Sequence, residues 1–374
     1  MFSVYCLELL LLGARRFGQF DNRTKLEVVA DLRKQGIDAV PAVFPSALWE
    51  NRTRSGVKSA IEINGREVIP LGGISKKLTV MCNESGKWIT YRSDEHGFNN
   101  PEGIWSSRDL SIAAVGDSFV FGACVPADAN FVSLVRKKYS STLNLGINGA
   151  GPLVEFAAVK EFLPGFRPRV TLWFYLELND QLDLLQERQS ELLNRYLQGH
   201  FNQGLMARQS EIDQALSHYV DLKRKMAETD AFRERLKDGV ELIKLSTLRK
   251  KLGLIHGISQ VEASSESDEI QIRLFREILR KTHALIKTWN GTLYFVYLPA
   301  WERYKGGAGS DNREAILALV KGLRIPIIDI HEAFQTHGDP LRLFPFRQRG
   351  HYNEEGHRIV AEAVLHRVIS GSSH

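Results

Sequence analysis

The sequence predicts an α/β protein in which a parallel sheet is covered by helices on both faces. Short apolar runs recur in two separated parts of the chain: Leu110 to Val115, Leu143 to Ile147, Val170 to Leu176, Gly291 to Leu298 and Ile325 to Ile330. Such runs, apolar without polar alternation, belong to strands buried on both sides. Between them lie stretches of helical periodicity, Phe131 to Tyr139, Val154 to Phe162, Asn312 to Leu323 and Glu354 to Val368, and this alternation is that of an α/β sandwich. The composition agrees: 374 residues at 43% hydrophobic and 25% charged can bury a sizeable core, which excludes a disordered chain.

Taken in order, residues 1–20 open with an apolar run. Met1 to Leu12 carries only Glu8 as a charge, and Arg15-Arg16 follow. The run is shorter than the roughly 20 apolar residues of a membrane-spanning helix. It also lacks the basic start and small-residue cleavage site of a secretory signal. It reads either as a buried or interfacial helix or as the tail of a membrane anchor whose upstream part precedes the chosen start. Residues 21–107 form a preamble. Arg23 to Gln35 is helical in period and ends at Gly36, after which Pro41, Pro45 and the polar stretch Asn51 to Ser55 break the pattern. From Ala60 to Tyr91 the period becomes two, with Asn-Gly and Glu-Ser-Gly turn signals that predict β-hairpins.

The sandwich occupies residues 108–180 and 290–374. Between them, residues 181–289 are rich in Leu, Arg, Glu, Gln and Lys and helical in period, with Gln260 to Asp268 as the expected loop. This reads as a solvated helical insertion or cap, since no heptad pattern is sustained over it. At about 150 residues per domain the length alone fits two or three units, or one domain with an insertion. The placement of the motifs described below favours the second.

Forty-nine basic against 44 acidic residues leave a net charge of +5, with no Lys/Arg block interleaved with aromatics, so nucleic acid is not the expected partner. Cys6, Cys82 and Cys124 are odd in number and far apart, which argues against a disulfide framework and against a thiolate metal site. No metal-ligand spacing and no glycine-rich phosphate loop occurs, so no cofactor or metal is expected.

Four places can carry chemistry. Val115-Gly116-Asp117-Ser118-Phe119 leads from a strand into a helix start, where backbone N–H groups can stabilise an oxyanion beside a serine nucleophile. A helix-capping serine would read the same way. Gly149, after the second strand, offers a backbone N–H that can be approached closely, and Asn179, after the third, offers an amide donor. His351 precedes the last helix and could take the proton of Ser118.

In this order and context the blocks resemble those of the SGNH, or GDSL-like, hydrolases. Gly116-Asp117-Ser118-Phe119 matches the nucleophile block, with Phe for the usual Leu. Gly149 matches the glycine block, Asn179-Asp180 the asparagine block, and His351 to Gly356 the histidine block. The resemblance spans roughly residues 108 to 180 and 290 to 370. It implies a flavodoxin-like three-layer α/β/α fold and acyl-ester chemistry at Ser118. It further implies His351 as base, and the Ser118 N–H, Gly149 and Asn179 as oxyanion donors. The lead-in Tyr91 to Asn100 is similar to that of SGNH proteins of bacterial surface-polysaccharide assembly.

One departure matters. The family places an Asp three residues before its histidine, and this chain has Gln348 there. Either Ser118 and His351 work as a dyad or another carboxylate orients the imidazole, with Asp329 and Glu177 as candidates. Asp117 is expected to hold its turn, Asp180 to support the site, Glu177 to line the cleft or be solvated, and His357 to lie on the last helix as a surface or packing residue. His96, Asn99 and Asn100 either border the substrate groove or do not.

The expected activity is thus ester hydrolysis or acyl transfer on O-acetyl groups of a carbohydrate, at a bacterial cell envelope with the cytoplasm as the alternative, and with membrane association if the N-terminal run is an anchor. The oligomeric state is left open. A fold that has lost its full triad would instead serve as a carbohydrate-binding or polysaccharide-assembly factor. A long apolar groove would favour a lipase or thioesterase.

Overall fold

The computed structural model describes residues 21–53, 56–107, 109–177, 179–235, 265–306 and 312–371. Residues 1–20, with the apolar run and Cys6, lie outside these. Among the described residues no helix is long and apolar enough to cross a membrane.

The N-terminal segment starts with α1 (Lys25–Lys34), whose Thr24 and Glu27 form a reciprocal capping box. Next come β1 (Ala39–Pro41), β2 (Trp49–Thr53) and β3 (Gly56–Ser59), then β4 (Glu62–Ile63) and β5 (Arg66–Glu67). The β4–β5 turn has Asn64 at φ 54° and Gly65 at φ 70°, the left-handed pair that a two-residue hairpin demands. The strands β6 (Leu78–Val80) and β7 (Thr90–Arg92) pair antiparallel, and β1 adds to β6 in parallel. The β4–β5 and β6–β7 hairpins fall in the stretch with a period of two, whereas the antiparallel β2–β3 pair falls on the stretch around Asn51 to Ser55 read as a break. The parallel β1 is not predicted either, because three residues ending in proline carry too little pattern.

The core begins with β8 (Ile112–Gly116), followed by α2 (Ser118–Phe121), α3 (Phe131–Arg136), β9 (Thr142–Gly146), α4 (Pro152–Phe162) and β10 (Val170–Leu176). After α5 (Asn179–Glu187), α6 (Glu191–Tyr196), α7 (Gln209–Arg235) and α8 (Ser265–Lys287) come β11 (Thr292–Leu298), α9 (Arg313–Gly322), β12 (Ile327–Asp329), α10 (Ile330–Gln335) and α11 (Glu354–Gly371). Five strands form one parallel sheet in the order β12-β11-β10-β8-β9. Read from the other edge this is the flavodoxin-like order 2-1-3-4-5.

Alternate residues of each strand enter different cores. Ala113, Val115, Trp173, Tyr175, Phe295 and Tyr297 pack with α4, α8 and α9, whereas Ile112, Ala114, Leu172, Phe174, Val296 and Leu298 pack with α3, α10 and α11. The fold is therefore the three-layer α/β/α sandwich expected of an SGNH hydrolase.

Two readings of the 181–289 region change. Ser265 to Asp268 belongs to the helix α8 and not to a loop, while residues 260–264 lie outside the described residues. Moreover, α8 buries Phe275, Ile278, Leu279 and Ile286 against the sheet. It is the crossover helix from β10 to β11, and not part of a solvated cap.

The cysteine reading is also corrected. Cys82 and Cys124, 42 residues apart in sequence, are joined by a disulfide with a Cα–Cα distance of 5.4 Å. Distance along the chain did not report that the β6–β7 hairpin folds back onto the loop after α2.

Candidate active site

In a doubly wound sheet, ligands bind where neighbouring strands send their crossovers to opposite faces. Here that point lies between β8 and β10. Ser118 follows β8 and Asn179 follows β10, so the topology brings the two to one cleft. Asp117 caps α2: its Oδ1 accepts from the Phe119 N–H at 2.9 Å. Its Oδ2 accepts from Asn179 Nδ2 at 3.3 Å, linking the two blocks. Burial pushes the Asp117 carboxyl up to about 6, against the Phe119 hydrogen bond and the positive pull of His351.

His351 stands within hydrogen-bond reach of the serine, its Nε2 lying 2.8 Å from Ser118 Oγ. Its Nδ1 is 2.8 Å from Glu84 Oε1, and its backbone N–H donates to Glu84 Oε2 at 2.8 Å. An ionised carboxylate only accepts, so Nδ1 carries the proton and Nε2 presents a lone pair to the serine hydroxyl. Burial alone would raise the Glu84 carboxyl. The bonds from the His351 ring and backbone outweigh it, and the net pKa lies below the ordinary glutamate value. The Phe119 ring packs 4.9 Å from the imidazole and 4.6 Å from Tyr352, whose hydroxyl donates to Pro299 O at 2.6 Å. The imidazole is thus fixed on its edge and on its face.

The orienting carboxylate is neither candidate read from the sequence. Glu177, 1% exposed, is ion-paired with Arg303 and accepts from the Ala300 N–H at 3.2 Å. Asp329 caps α10 and pairs with Arg313. Glu84 instead enters from the β6–β7 turn. Gly350 makes room for it, since a Cβ there would lie 2.6 Å from Glu84 Oε2.

The remaining residues fall in several places. Gly149 has φ +68°, and a Cβ on it would collide with Ser46 Oγ, so this glycine adjoins the N-terminal segment. Asp180 is buried and accepts from the Leu176 N–H at 3.1 Å, and burial together with the negative Asp117 raises its pKa well above the ordinary range. His357 is fully buried, with Nδ1 accepting from the Phe131 N–H at 3.1 Å, and burial drops its pKa to about 3. It is a packing residue. Asn99 donates to Phe121 O at 2.8 Å, and Asn100 bridges Asp94 and Asn144. His96 packs edge-on against Trp105 and lies 5.8 Å from the Phe162 ring of α4. These three tie the preamble to the core; Asn99 and Asn100 line a different cleft.

The cleft over Ser118 has a volume of about 180 Å³ and is lined by Phe119, Asn179, Leu182, Trp301 and His351 among others. Arg349 and Glu302 pair at its rim, with N–O 2.6 Å. Among the described residues one grouping, Glu84, Cys124 and His351, is tight enough to hold a metal ion, but its sulfur is bonded to Cys82.

No family model matches the chain, and no curated protein matches it. Solved structures do. An acetyl xylan esterase is 12% identical at a TM-score of 0.39, covering 69% of this chain and 100% of its own. A two-domain esterase active on acetylated mannans, crystallised with mannopentaose, is 10% identical at a TM-score of 0.39, with 72% of this chain and 52% of its own covered. A GDSL-like lipase from Bacteroides thetaiotaomicron VPI-5482 is 12% identical at a TM-score of 0.35, with 70% and 89% covered.

Proposed function

We propose that this protein is a serine esterase or acyltransferase with Ser118 as nucleophile, His351 as general base and Glu84 as the carboxylate that orients it. The observation that carries this reading is the unbroken chain Ser118 Oγ, His351 Nε2, His351 Nδ1 and Glu84 Oε1, with both contacts at 2.8 Å. Nε2 takes the serine proton as Oγ attacks the acyl carbonyl, and the imidazolium that forms is stabilised by Glu84. The oxyanion is met by the Ser118 N–H and by Asn179, whose amide has a second hydrogen besides the one given to Asp117. Gly149 is the third proposed donor. The imidazolium then protonates the leaving alcohol, and water or a sugar hydroxyl resolves the acyl-enzyme.

The cleft supports one substrate class over others. A space of about 180 Å³ suits a short acyl group and not a fatty chain, which favours acetyl over lipid. Trp301 supplies a flat apolar surface, and Arg349 and Glu302 supply polar partners, a combination suited to a sugar ring. O-acetyl groups of a carbohydrate therefore fit best. A disulfide this near the site favours an oxidising, extracytoplasmic location.

The test is a fluorophosphonate label together with release of acetate from p-nitrophenyl acetate. Wild type should label at Ser118 and turn over, and Ser118→Ala should do neither. Equal turnover by both proteins would overturn the reading and favour a carbohydrate-binding role.

A further inference from the structure

The catalytic carboxylate sits on a turn whose hydrogen bonds run to the N-terminal segment, with Asn83 Nδ2 donating to Asp21 O at 2.6 Å and the Asp21 N–H to Gly86 O at 2.7 Å. Glu84 is at the tip of the β6–β7 hairpin, between strands of only three residues each. Two residues before it, Cys82 is bonded to Cys124, six residues beyond Ser118 on the loop that leaves α2. Cys124 Sγ, a Glu84 carboxylate oxygen and a His351 ring nitrogen lie within 4.8 Å of one another. Cys124 also holds φ +63°, a left-handed conformation that a non-glycine residue adopts at a cost. On the side of Cys124 the hairpin packs in one small cluster of Met81, Tyr91, Phe121, Ala123 and Cys124.

We infer that the Cys82–Cys124 disulfide is a positioning device that holds Glu84 on His351, so that full activity requires the oxidised pair. The inference rests on the serine-hydrolase reading. A dithiol reductant opens the device: it is oxidised to its own cyclic disulfide while Cys82 and Cys124 each gain a hydrogen. The hairpin then keeps its bonds to Asp21 and its pairing with β1 but loses its covalent tie to the loop beyond Ser118, and Glu84 leaves the geometry in which it orients the imidazole. Since a displacement of about 1 Å in such a site can cost on the order of 100-fold in rate, kcat should fall while the fold persists.

The experiment compares wild type, Cys82→Ser/Cys124→Ser, Glu84→Gln and the triple variant on p-nitrophenyl acetate, with circular dichroism to check folding and the downfield Nδ1–H proton resonance of His351 as a second readout. The cysteine pair variant should lose about 100-fold in kcat with little change in KM, and should lose the downfield resonance. In the Glu84→Gln background, removing the cysteines should cost nothing further. Wild type reduced with dithiothreitol while still folded should match the cysteine variant and recover on reoxidation, an arm that holds if the variant itself folds poorly. Undiminished kcat with the resonance retained after reduction would overturn the inference, as would a cysteine effect that multiplies with that of Glu84→Gln. Ser118 labelling separates the two failures: if Ser118→Ala is as active as wild type, the hydrolase reading itself has failed.

Discussion

Glu84 and His351 are 267 residues apart in the chain and are joined twice, through the imidazole Nδ1 and through the histidine backbone N–H, each at 2.8 Å. One carboxylate therefore fixes both the tautomer and the loop on which the ring sits. Glu84→Gln keeps the size and one acceptor but loses the negative charge that stabilises the imidazolium. The expected outcome is a fall in kcat of up to ~10⁴-fold with KM nearly unchanged, and partial recovery in Glu84→Asp, read by steady-state kinetics. A fall below tenfold would assign the work to a Ser118–His351 dyad.

Gly350 tests the same contact without touching either partner. Its missing Cβ leaves the space that Glu84 Oε2 occupies, and a methyl group there would stand 2.6 Å from that oxygen. The clash is with the far end of a flexible side chain, so Gly350→Ala should leave thermal stability nearly as it was. Glu84 would have to rotate away from His351. We expect a loss in kcat of about 10- to 100-fold at an unchanged melting temperature. A variant equally impaired in both would mean that the glycine serves the backbone instead.

These residues explain what was legible in the sequence. Ser118 and Asn179 follow strands whose apolar runs are unmistakable, and His351 precedes a long periodic helix, so local pattern locates all three. Glu84 has no such mark. It lies in Asn83-Glu84-Ser85-Gly86, which reads as an ordinary solvated turn, and its role arises only from the fold of the hairpin onto the loop of Cys124. The same holds for α8. Its helical period was legible, but which surface buries Phe275 and Ile278 is decided by Tyr175 and Phe295 on strands far away in sequence.

Acyl length should discriminate sharply. The cleft of about 180 Å³ is bounded by Phe119 and Leu176, both buried in the sheet-side core. Forcing extra methylenes into a packed space costs about 1–3 kcal/mol. Between p-nitrophenyl acetate and the octanoate ester, kcat/KM should therefore fall by about 10- to 100-fold. A rise with chain length would favour a lipid substrate.

Asp183, on α5, should give the fold a pH dependence whose sign follows from its raised pKa. Burial, and next the negative charge of Asp117, push its carboxyl up to about 7, and its Oδ2 is buried without a hydrogen-bond partner in the structure. A folded pKa above the unfolded value of about 3.9 means that the native state holds the proton more tightly. Stability is then fully retained below the unfolded value and falls as pH rises through the window up to the folded one. Asp183→Asn removes the proton from the account while keeping the shape. Melting temperatures of the two proteins measured from pH 4 to pH 8 should start close together and diverge, with the asparagine variant the more stable at the alkaline end. Parallel curves would mean that Asp183 is ionised at no cost, and that the buried carboxyls around Asp117 share their charge differently.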